Sequence, residues 1–507
     1  MFFTCKQASD LNLSMKKLLL ILSLFLTFLD KTPLYSYGGP TVNDRNVVPV
    51  FTPKFYKPNW LKIPKEVNLK NLVLRDIIIK KEGVKISENL VNSYAWRKLS
   101  KGKIVNENEL KQNLKNINSI SGIRAVGFVK KNSDNSFNLI IELKNTDPDK
   151  ASIRVDNSGS KTTHYVKTTS AFSYSNAFEL GETIGFKQVH TMANGTNYYE
   201  LNSKFFLSDD GTSLLLRGAT MRYDHGDYAR ATSGGLEGNS NFWDINILKP
   251  VLYEENIGAK LGLGFYRGGF HVFKNSGAIE EEDTVNHRLD LSLHLNIQDS
   301  IFNKAVTNAR IIVSKGKTSL SNTATDLSKT NDDAGVAGYF TKINPAFSRR
   351  EKIDDKNDLL IKFKGQYAFK NLEGSEEFSL GGTYNVRSYP NNESSGDSGF
   401  IFTTELEHKL RKDLTTSLVF DYGKIRTVMD PYSGWQPFAY NNQKNEYSLK
   451  SWGLVADWNI IPGSTIKAQL INRIGSNNQR TNSNSIGADY DRTKHETKFL
   501  LSFTQSF

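Results

Sequence analysis

The sequence has almost no cysteine: among its 507 residues only Cys5 occurs. A disulfide framework or a cysteine metal site needs more than one cysteine, so neither forms within this chain. Cys5 also precedes the segment that we interpret as an export signal. We therefore expect the mature chain to contain no cysteine at all.

Long apolar runs are also scarce. The mean hydropathy is −0.46, and the one strongly apolar stretch is Leu18–Leu29, shorter than the roughly 20 residues that a membrane-spanning helix needs. Lysines precede this stretch and small or polar residues follow it, a pattern typical of a secretory signal. We predict a signal peptide in residues 1–36, with Met15 as an alternative start.

The sequence lacks the motifs of common enzyme and metal sites. Its eight histidines have no HExxH-type spacing, and no phosphate loop, dinucleotide fingerprint or nucleophile elbow occurs. Gly396–Gly399 (GDSG) is similar to a serine-protease nucleophile segment, but small polar residues surround it and no histidine is near. An ordinary turn is therefore favoured, and we predict no enzyme activity, no metal and no cofactor.

Acidic residues are fewer than basic ones, 53 against 65, which gives a net charge of +12. The basic residues are scattered, and an exported chain does not meet nucleic acid, so we predict no nucleic-acid binding. The excess positive charge fits either anionic lipid headgroups or an acidic client. Composition alone does not separate these two partners.

Proline is concentrated at one end of the chain. Six of the thirteen prolines lie between Pro33 and Pro64, and we interpret residues 37–67 as an extended, proline-rich linker. The others lie outside the stretches with clear alternation, as we expect for strands, because proline cannot donate to a β-ladder. These seven are Pro148, Pro250, Pro345, Pro390, Pro431, Pro437 and Pro462.

Residues 68–146 have the pattern of a small mixed domain. Apolar runs alternate with two segments of helical spacing, the second opened by an asparagine with acidic residues nearby. The predicted order is β-α-α-β-β. The segments are Leu72–Lys80, Ser87–Leu99, Asn106–Asn118, Gly122–Lys131 and Phe137–Leu143.

From residue 147 to Phe507 the helical periodicity gives way to strand alternation. In Arg288–Ile297 every second residue is leucine or isoleucine and the others are polar. A soluble sandwich alternates too, but its sheets rarely have so many strands. An outer-membrane barrel turns apolar residues toward lipid and polar ones into its lumen. We therefore predict a transmembrane antiparallel β-barrel in residues 147–507.

We count about sixteen such segments, an even number as bacterial barrels require. Short turns such as DDGT and IPGS fall where the periplasmic side is expected, and long polar loops, notably Gly316–Lys356, fall mostly on the other side. The predicted strands begin near Ala151, Thr163, Thr183, Asn197, Ser213, Phe242, Ile257, His287, Thr307, Asp358, Phe378, Gly399, Leu414, Tyr447, Thr465 and Lys498.

Two segments of the barrel contain charges in notable places. Phe378–Tyr389 runs from a strand into a loop with Arg387, and alternation in Phe420–Gly423 turns Asp421 into the lumen. Glu405 and Glu407 face inward by the same reasoning. They are either ordinary solvated charges, or carboxylates that pin a loop inside the lumen through an arginine, which can pair bidentately. The pattern alone leaves both interpretations open.

These segments resemble the TpsB transporters of two-partner secretion, the haemolysin secretion/activation proteins, within the superfamily that includes BamA. Val155–Ser160 matches the DN-x-G strand that opens the family's barrel, and Phe378–Tyr389 matches F-x-L-G-G…V-R-G-[YF]. Gly396–Gly399, with Glu405 and Leu406 after it, and Phe420–Gly423 match the later motifs. The β-α-α-β-β unit is similar to a POTRA domain, the periplasmic module that captures clients.

The resemblance implies a sixteen-stranded pore that exports a dedicated partner protein. Arg387 would lie at the tip of the sixth extracellular loop and pair with Asp421 on the thirteenth strand. Ser388 stands where the family has glycine, and neither a plug helix nor a second POTRA domain is evident. The implied site consists of a loop–lumen lock (Val386, Arg387, Tyr389, Asp421, Gly423), lumen carboxylates (Glu405, Glu407) and loop-supporting residues (Gly381, Gly382, Gly396, Asp397, Gly399).

The expected partners are an unfolded secreted protein, outer-membrane lipid and the barrel-assembly machinery, the last through the strand that ends at Phe507. A monomer is expected. Two alternatives stay open: a BamA-like insertase, which shares the fold and the loop motif, and a passive porin, which would leave the N-terminal domain without a role.

Overall fold

A computed structural model describes residues 60–146, 150–192, 195–224, 236–254, 256–274, 279–321, 334–391, 393–433, 435, 444–475, 489 and 496–507. The predicted signal peptide, with Cys5 and Met15, lies outside the described residues. The same is true of residues 37–59 of the predicted linker, of Pro148 and of Pro437.

The N-terminal domain has the β-α-α-β-β order, with one short strand ahead of it. Its sheet has the strand order β1-β3-β4-β2, and β1 pairs in parallel with β3. Residues 61 and 62, expected in the linker, thus form an edge strand, because the side chain of Leu61 is buried in the core. The elements are β1 (Leu61–Lys62), β2 (Val73–Glu82), α1 (Glu88–Ala95), α2 (Glu107–Ile117), β3 (Ile123–Lys131) and β4 (Ser136–Asn145).

The core of this domain forms where α2 packs on the sheet. Leu110, Leu114 and Ile117 recur at helical spacing and are fully buried, while Asn106 caps the helix by accepting the N–H of Asn108 at 2.9 Å. Close packing needs Gly127 on β3, because a Cβ there would lie 2.8 Å from a methyl group of Leu114. No helix in the described part of the chain is long and apolar enough to span a membrane.

Sixteen antiparallel strands then close into a barrel, in which the last strand pairs with the first. The first eleven are β5 (Lys150–Asp156), β6 (Lys167–Ser175), β7 (Thr183–Thr191), β8 (Thr196–Phe206), β9 (Ser213–Asp224), β10 (Leu236–Tyr253), β11 (Ile257–Lys274), β12 (Ile279–Asp299), β13 (Ala305–Leu320), β14 (Gly338–Lys352) and β15 (Asn357–Ala368). Two-residue strands β16 (Phe378–Ser379) and β17 (Ser395–Gly396) pair only with each other. The barrel continues with β18 (Ser398–Lys409), β19 (Leu414–Arg426), β20 (Glu446–Ile461), β21 (Ser464–Arg473) and β22 (Thr497–Ser506).

The predicted number of strands is confirmed, but two of the predicted segments are wrong. The barrel strand expected near Phe378 is absent, since that residue belongs to the loop between β15 and β18. Conversely, β14 lies inside the predicted loop Gly316–Lys356. Its central Pro345 and its basic end obscured the alternation of this strand, so the two errors cancelled in the count.

Prolines do occur within barrel strands, contrary to the expectation. Pro250 lies in β10 beside a register shift between Pro250 and Leu252. Pro345 lies in β14 and pairs with Ile311 of β13, while the pairing with β15 is interrupted there. Both prolines occupy places where the ladder is irregular, so the missing N–H donor is tolerated.

The outer surface of the barrel is apolar. Leu289 and Leu291 of β12 are 49% and 60% exposed, while their polar neighbour Arg288 on the inner face is 9% exposed. Apolar side chains outside and polar ones inside are the arrangement of a barrel that is surrounded by lipid. Other outward apolar residues are Leu261, Leu263, Leu418, Trp452, Leu454, Leu470, Phe499, Leu501 and Phe503.

The N-terminal domain contacts the short-turn end of the barrel. The hydroxyl of Tyr94 donates to the carbonyl of Ser208 in the β8–β9 turn at 3.1 Å, and its ring meets Phe206 edge-on. The amide of Asn176 in the β6–β7 turn donates to the carbonyl of Ser121 at 2.8 Å. The domain therefore lies at the end of the barrel where these short connections are found.

We expect Leu418→Arg to destabilise the barrel by up to about 2–4 kcal/mol, because it places a charge on the lipid face. Thr415→Arg on the same strand is the matched control, since Thr415 lines the lumen cavity and a charge there stays hydrated. Urea titration in lipid vesicles measures both variants. Equal losses of stability would contradict the assignment of the two faces.

Candidate functional site

The described residues of the loop between β15 and β18, 369–391 and 393–397, fold back into the barrel. Within the loop β16 and β17 form a small antiparallel pair, and its apolar side chains pack against inward-facing residues of the wall. Burial of this cluster seats the loop in the lumen. The cluster contains Phe378, Leu380, Val386 and Tyr389 from the loop and Ile401, Ile425 and Leu449 from β18, β19 and β20.

Arg387 lies at the tip of this loop and faces two carboxylates of the wall. Its Nη2 is 2.6 Å from Oε1 of Glu405 on β18 and 3.4 Å from Oδ1 of Asp421 on β19. Only 7% of the Arg387 side chain is exposed, against 11% for Glu405 and none for Asp421. We call these three residues the tip lock.

Asp421 is held in place by further donors. The backbone N–H of Arg387 donates to its Oδ2 at 3.3 Å, and the hydroxyls of Thr403 and Ser451 donate to its two oxygens at 3.0 Å each. A buried carboxylate needs such donors to offset its lost hydration. The site therefore fixes Asp421 and receives the arginine from the loop.

The two predicted lumen carboxylates behave differently. Glu405 accepts from both Arg387 and Lys362, the latter at 2.7 Å. Glu407 instead pairs with Arg350 of β14. The alternation placed both residues inward but did not show their depth along the strand, which decides which of them meets the loop.

Sequence reasoning missed several residues that touch the loop. Arg473 of β21 stacks over the ring of Tyr389, with 4.2 Å from its guanidinium carbon to the ring centroid. Arg154 of β5 donates to the hydroxyl of Tyr384 at 2.6 Å. Inward alternation is the only sequence signal for these arginines, and it does not identify their partners.

The predicted glycines lie at close approaches. A Cβ on Gly423 would lie 2.9 Å from Leu380 and 3.0 Å from Val386, so this glycine makes room for the loop. Gly381, Gly396 and Gly399 also face nearby backbone, and Gly382 alone of the predicted set has a positive φ, +122°. Ser388, where the family has glycine, is not among the residues with positive φ, so it carries no strain of that kind.

Asp397 anchors the stem of the loop, where it is 1% exposed. Its two oxygens accept the backbone N–H groups of Leu372 at 2.8 Å and Met429 at 2.7 Å. Burial raises the pKa of Asp397 from 3.8 to about 6, although these donors and Arg426 oppose the shift. GDSG is thus a turn whose aspartate ties the loop to the β19–β20 connection.

A cavity of about 610 Å³ lies beside the loop tip within the barrel. Its lining contains basic and acidic side chains, including Arg154, Arg350, Lys362, Asp156 and Glu407. A lumen with both charge signs suits a hydrated, polar path. Within the described ranges no three histidine, cysteine or acidic side chains are grouped as metal ligands would be.

Comparisons with known proteins agree with this architecture. A family model described as haemolysin secretion/activation protein ShlB/FhaC/HecB matches residues 272–435, which include the three residues of the tip lock. The heme/hemopexin transporter protein HuxB of Haemophilus influenzae is 22% identical over 377 residues, which are 73% of this chain and 64% of the relative. The chain thus spans less than two thirds of the length of that relative.

Solved structures share the fold at low sequence identity. CdiB from Escherichia coli has a TM-score of 0.68 with 13% identity, covering 86% of this chain and 77% of that one. BamA from Haemophilus ducreyi lacking POTRA domains 1–3 has a TM-score of 0.53 with 15% identity, covering 86% and 85%. These likenesses extend over both the barrel and part of the N-terminal region.

The closed barrel with its apolar outer surface and its inserted loop defines a β-barrel of the outer-membrane class. Within that class the matches confirm the resemblance to the TpsB-type transporters, whose haemolysin secretion/activation model matches the part of the chain that contains the tip lock.

We expect Gly423→Ala to unseat the loop, because the new Cβ would meet Leu380 and Val386 at 2.9–3.0 Å. Overpacking of this kind costs about 1–3 kcal/mol. More frequent open events in planar lipid bilayers would reveal the unseated loop. Gly258→Ala is the control, since nothing lies within 4 Å of that Cβ, and equal conductance of the two variants would contradict the prediction.

Opening of the barrel by withdrawal of the loop should depend on pH, because the carboxyl group of Asp397 titrates. Because its pKa is raised to about 6 in the seated loop, the seated state binds more protons than a withdrawn loop with the ordinary value of 3.8. The contribution of Asp397 to seating is therefore full below about pH 4 and lost as the pH rises through about 6. We expect more open events at pH 7 than at pH 5, and Asp397→Asn should flatten that difference.

Proposed function

We propose that this chain is the outer-membrane translocation pore of a two-partner secretion system and exports one dedicated protein of the adhesin or haemolysin type. The observation that carries the proposal is the loop locked inside a closed barrel by Arg387, Asp421 and Glu405. A passive pore needs no such obstruction, whereas a pore for an unfolded chain must stay closed between export events.

The tip lock suits a gate because its buried cation and its buried carboxylates neutralise one another. With the loop seated, the buried carboxylates of Asp421 and Glu405 face the guanidinium of Arg387 and the amine of Lys362. Breaking a buried ion pair by removing one partner costs about 3–5 kcal/mol. The charges thus contribute to holding the loop in its seat, and binding of a client can offset a cost of this size.

The N-terminal domain provides a docking place for the client in this proposal, as a POTRA domain. The sheet order β1-β3-β4-β2 leaves β2 with a single partner strand, so an extended client segment could add to this edge. The domain contacts the turns at the barrel's periplasmic mouth. A client held there lies close to the entrance of the lumen.

The proposal includes a monomer anchored in outer-membrane lipid and inserted by the barrel-assembly machinery. The last strand is the part that the machinery would recognise. It ends with Phe507, whose backbone N–H donates to the carbonyl of Ala151 at 2.8 Å and whose side chain is 74% exposed. Folding of the client outside the cell would supply the free energy for export, because no nucleotide is available there.

A second candidate is an insertase that places other barrels in the membrane. The seam between β22 and β5 favours it, since only five residue pairs, from Ser502–Asp156 to Ser506–Ser152, form the register there, while β10 and β11 share seventeen. Because fewer residue pairs must separate, the barrel wall opens sideways at a short seam with a lower free-energy cost. BamA shares the fold but is similar at only 15% identity.

Disruption of the gene separates these functions. Loss of one secreted or surface protein, restored by the intact gene, is the result we expect. Depletion of several outer-membrane barrels would favour the insertase instead. An unchanged set of secreted, surface and outer-membrane proteins would contradict both.

Arg387→Ala should open the pore and impair export. The variant leaves Asp421 and Glu405 without their loop partner, so we expect brief high-conductance events in planar bilayers to become at least about tenfold more frequent. Arg217→Ala is the control, because Arg217 pairs with Asp244 across the wall strands β9 and β10. A steady conductance that Arg387→Ala leaves unchanged would favour a porin.

A further inference from the structure

A second set of buried charges holds the stem of the inserted loop. Glu376 ends a 3-10 turn, Gly374–Glu376, and is 2% exposed. Its two carboxylate oxygens lie 2.9 and 2.7 Å from Nη1 of Arg288 on β12. The Nζ of Lys342 on β14 is also 2.7 Å from one of these oxygens. We call Glu376, Arg288 and Lys342 the stem lock.

The wall holds Arg288 in a fixed orientation. Asp290 on the same strand accepts from its Nε at 2.7 Å and its Nη2 at 3.2 Å. The guanidinium also lies over the ring of Tyr266 on β11, 4.7 Å from the centroid. An arginine with these supports loses little conformational freedom when it binds the loop carboxylate.

The loop supplies the charge that the wall lacks. With Glu376 seated, the two cations Arg288 and Lys342 face the two anions Glu376 and Asp290. If the loop withdraws, Asp290 is the one ion-pair partner that these two cations keep among the described residues, so one positive charge is left uncompensated. Removing one member of a buried, hydrogen-bonded set is far more costly than removing an exposed pair.

Further hydrogen bonds fix the same segment at other points. The amide of Asn286 on β12 donates to Glu373 at 3.1 Å and to Ser375 at 2.7 Å. The amide of Gln366 on β15 donates to the carbonyl of Glu376 at 2.9 Å. Every one of these contacts is made with β12, β14 or β15.

The two locks grip different arcs of the barrel. The tip lock uses β18 and β19, and the stem lock uses β12 and β14, with β15 between these arcs. None of the residues in one lock belongs to the other. The loop is thus held at two places by separate charges.

We propose that Glu376 is a positioning residue for gating, and that the stem lock sets how firmly the pore is closed independently of the tip lock. This inference rests on the proposed function, in which the seated loop is the closed state. Because the two locks share no residue, their effects on opening should multiply.

Glu376→Gln tests the stem lock, because it removes the charge at nearly constant size. We expect open events of the purified protein in planar bilayers to become at least about tenfold more frequent, with Arg387 and Asp421 intact. Glu376→Asp, which keeps the charge, should open less often than Glu376→Gln. Asp244→Asn is the matched control, since Asp244 pairs with Arg217 across the wall strands β9 and β10.

Loop position provides a second readout that a merely structural role would not change. A cysteine at Tyr384→Cys, with Cys5→Ser, reports the loop tip through its labelling rate by a membrane-impermeant maleimide. We expect Glu376→Gln to speed labelling in this background and Asp244→Asn to leave it unchanged. Equal heat-modified mobility on gels verifies that both variants are folded barrels.

The double variant Glu376→Gln/Arg387→Ala tests independence. Its opening frequency should equal the product of the two single effects. Wild-type gating and labelling in a folded Glu376→Gln barrel would overturn the stem lock. A double variant no more open than Arg387→Ala alone would overturn the independence of the locks.

All these measurements use the protein without a client, so they stand whether or not the export assay supports the proposed function.

Discussion

The pairing of buried charges in the lumen is the interaction on which the rest of the structure depends. A guanidinium as enclosed as that of Arg387, with 7% of its side chain exposed, is tolerable only beside carboxylates that are themselves supported. Glu405 and Asp421 meet that need from adjacent strands of the wall. Their positions in turn require a closed barrel, because only closure brings wall strands around a loop.

The apolar part of the loop and its glycines serve this pairing. The cluster of Phe378, Leu380, Val386 and Tyr389 with the wall excludes water from the tip lock and so strengthens its electrostatics. Gly423 allows Leu380 and Val386 to approach. The loop is thus seated by shape and by charge together, so a change in either weakens its seat in the lumen.

Much of the fold followed from the amino-acid pattern, and the errors have physical causes. Alternation in Arg288–Ile297 identified a strand between lipid and lumen, since each face meets a different solvent. It failed in β14, where Pro345 interrupts the ladder. It also misled at Phe378, whose apolar neighbours pack inside the lumen rather than toward lipid. For the candidate site, motif order named Arg387 and Asp421 together. Neither motif nor alternation indicated Glu376, Arg473 or the distinct partner of Glu407.

What the sequence determined by itself is the class of structure: alternating strands in an even number, a mixed domain before them, and charged residues that point inward. These features are local, because a side chain's face depends only on its place along its own strand. The tertiary structure alone decided which inward charges meet. Strand register, the path of the inserted loop and the depth of each residue depend on contacts between distant segments, as between Arg288 and Glu376. No local pattern encodes these contacts.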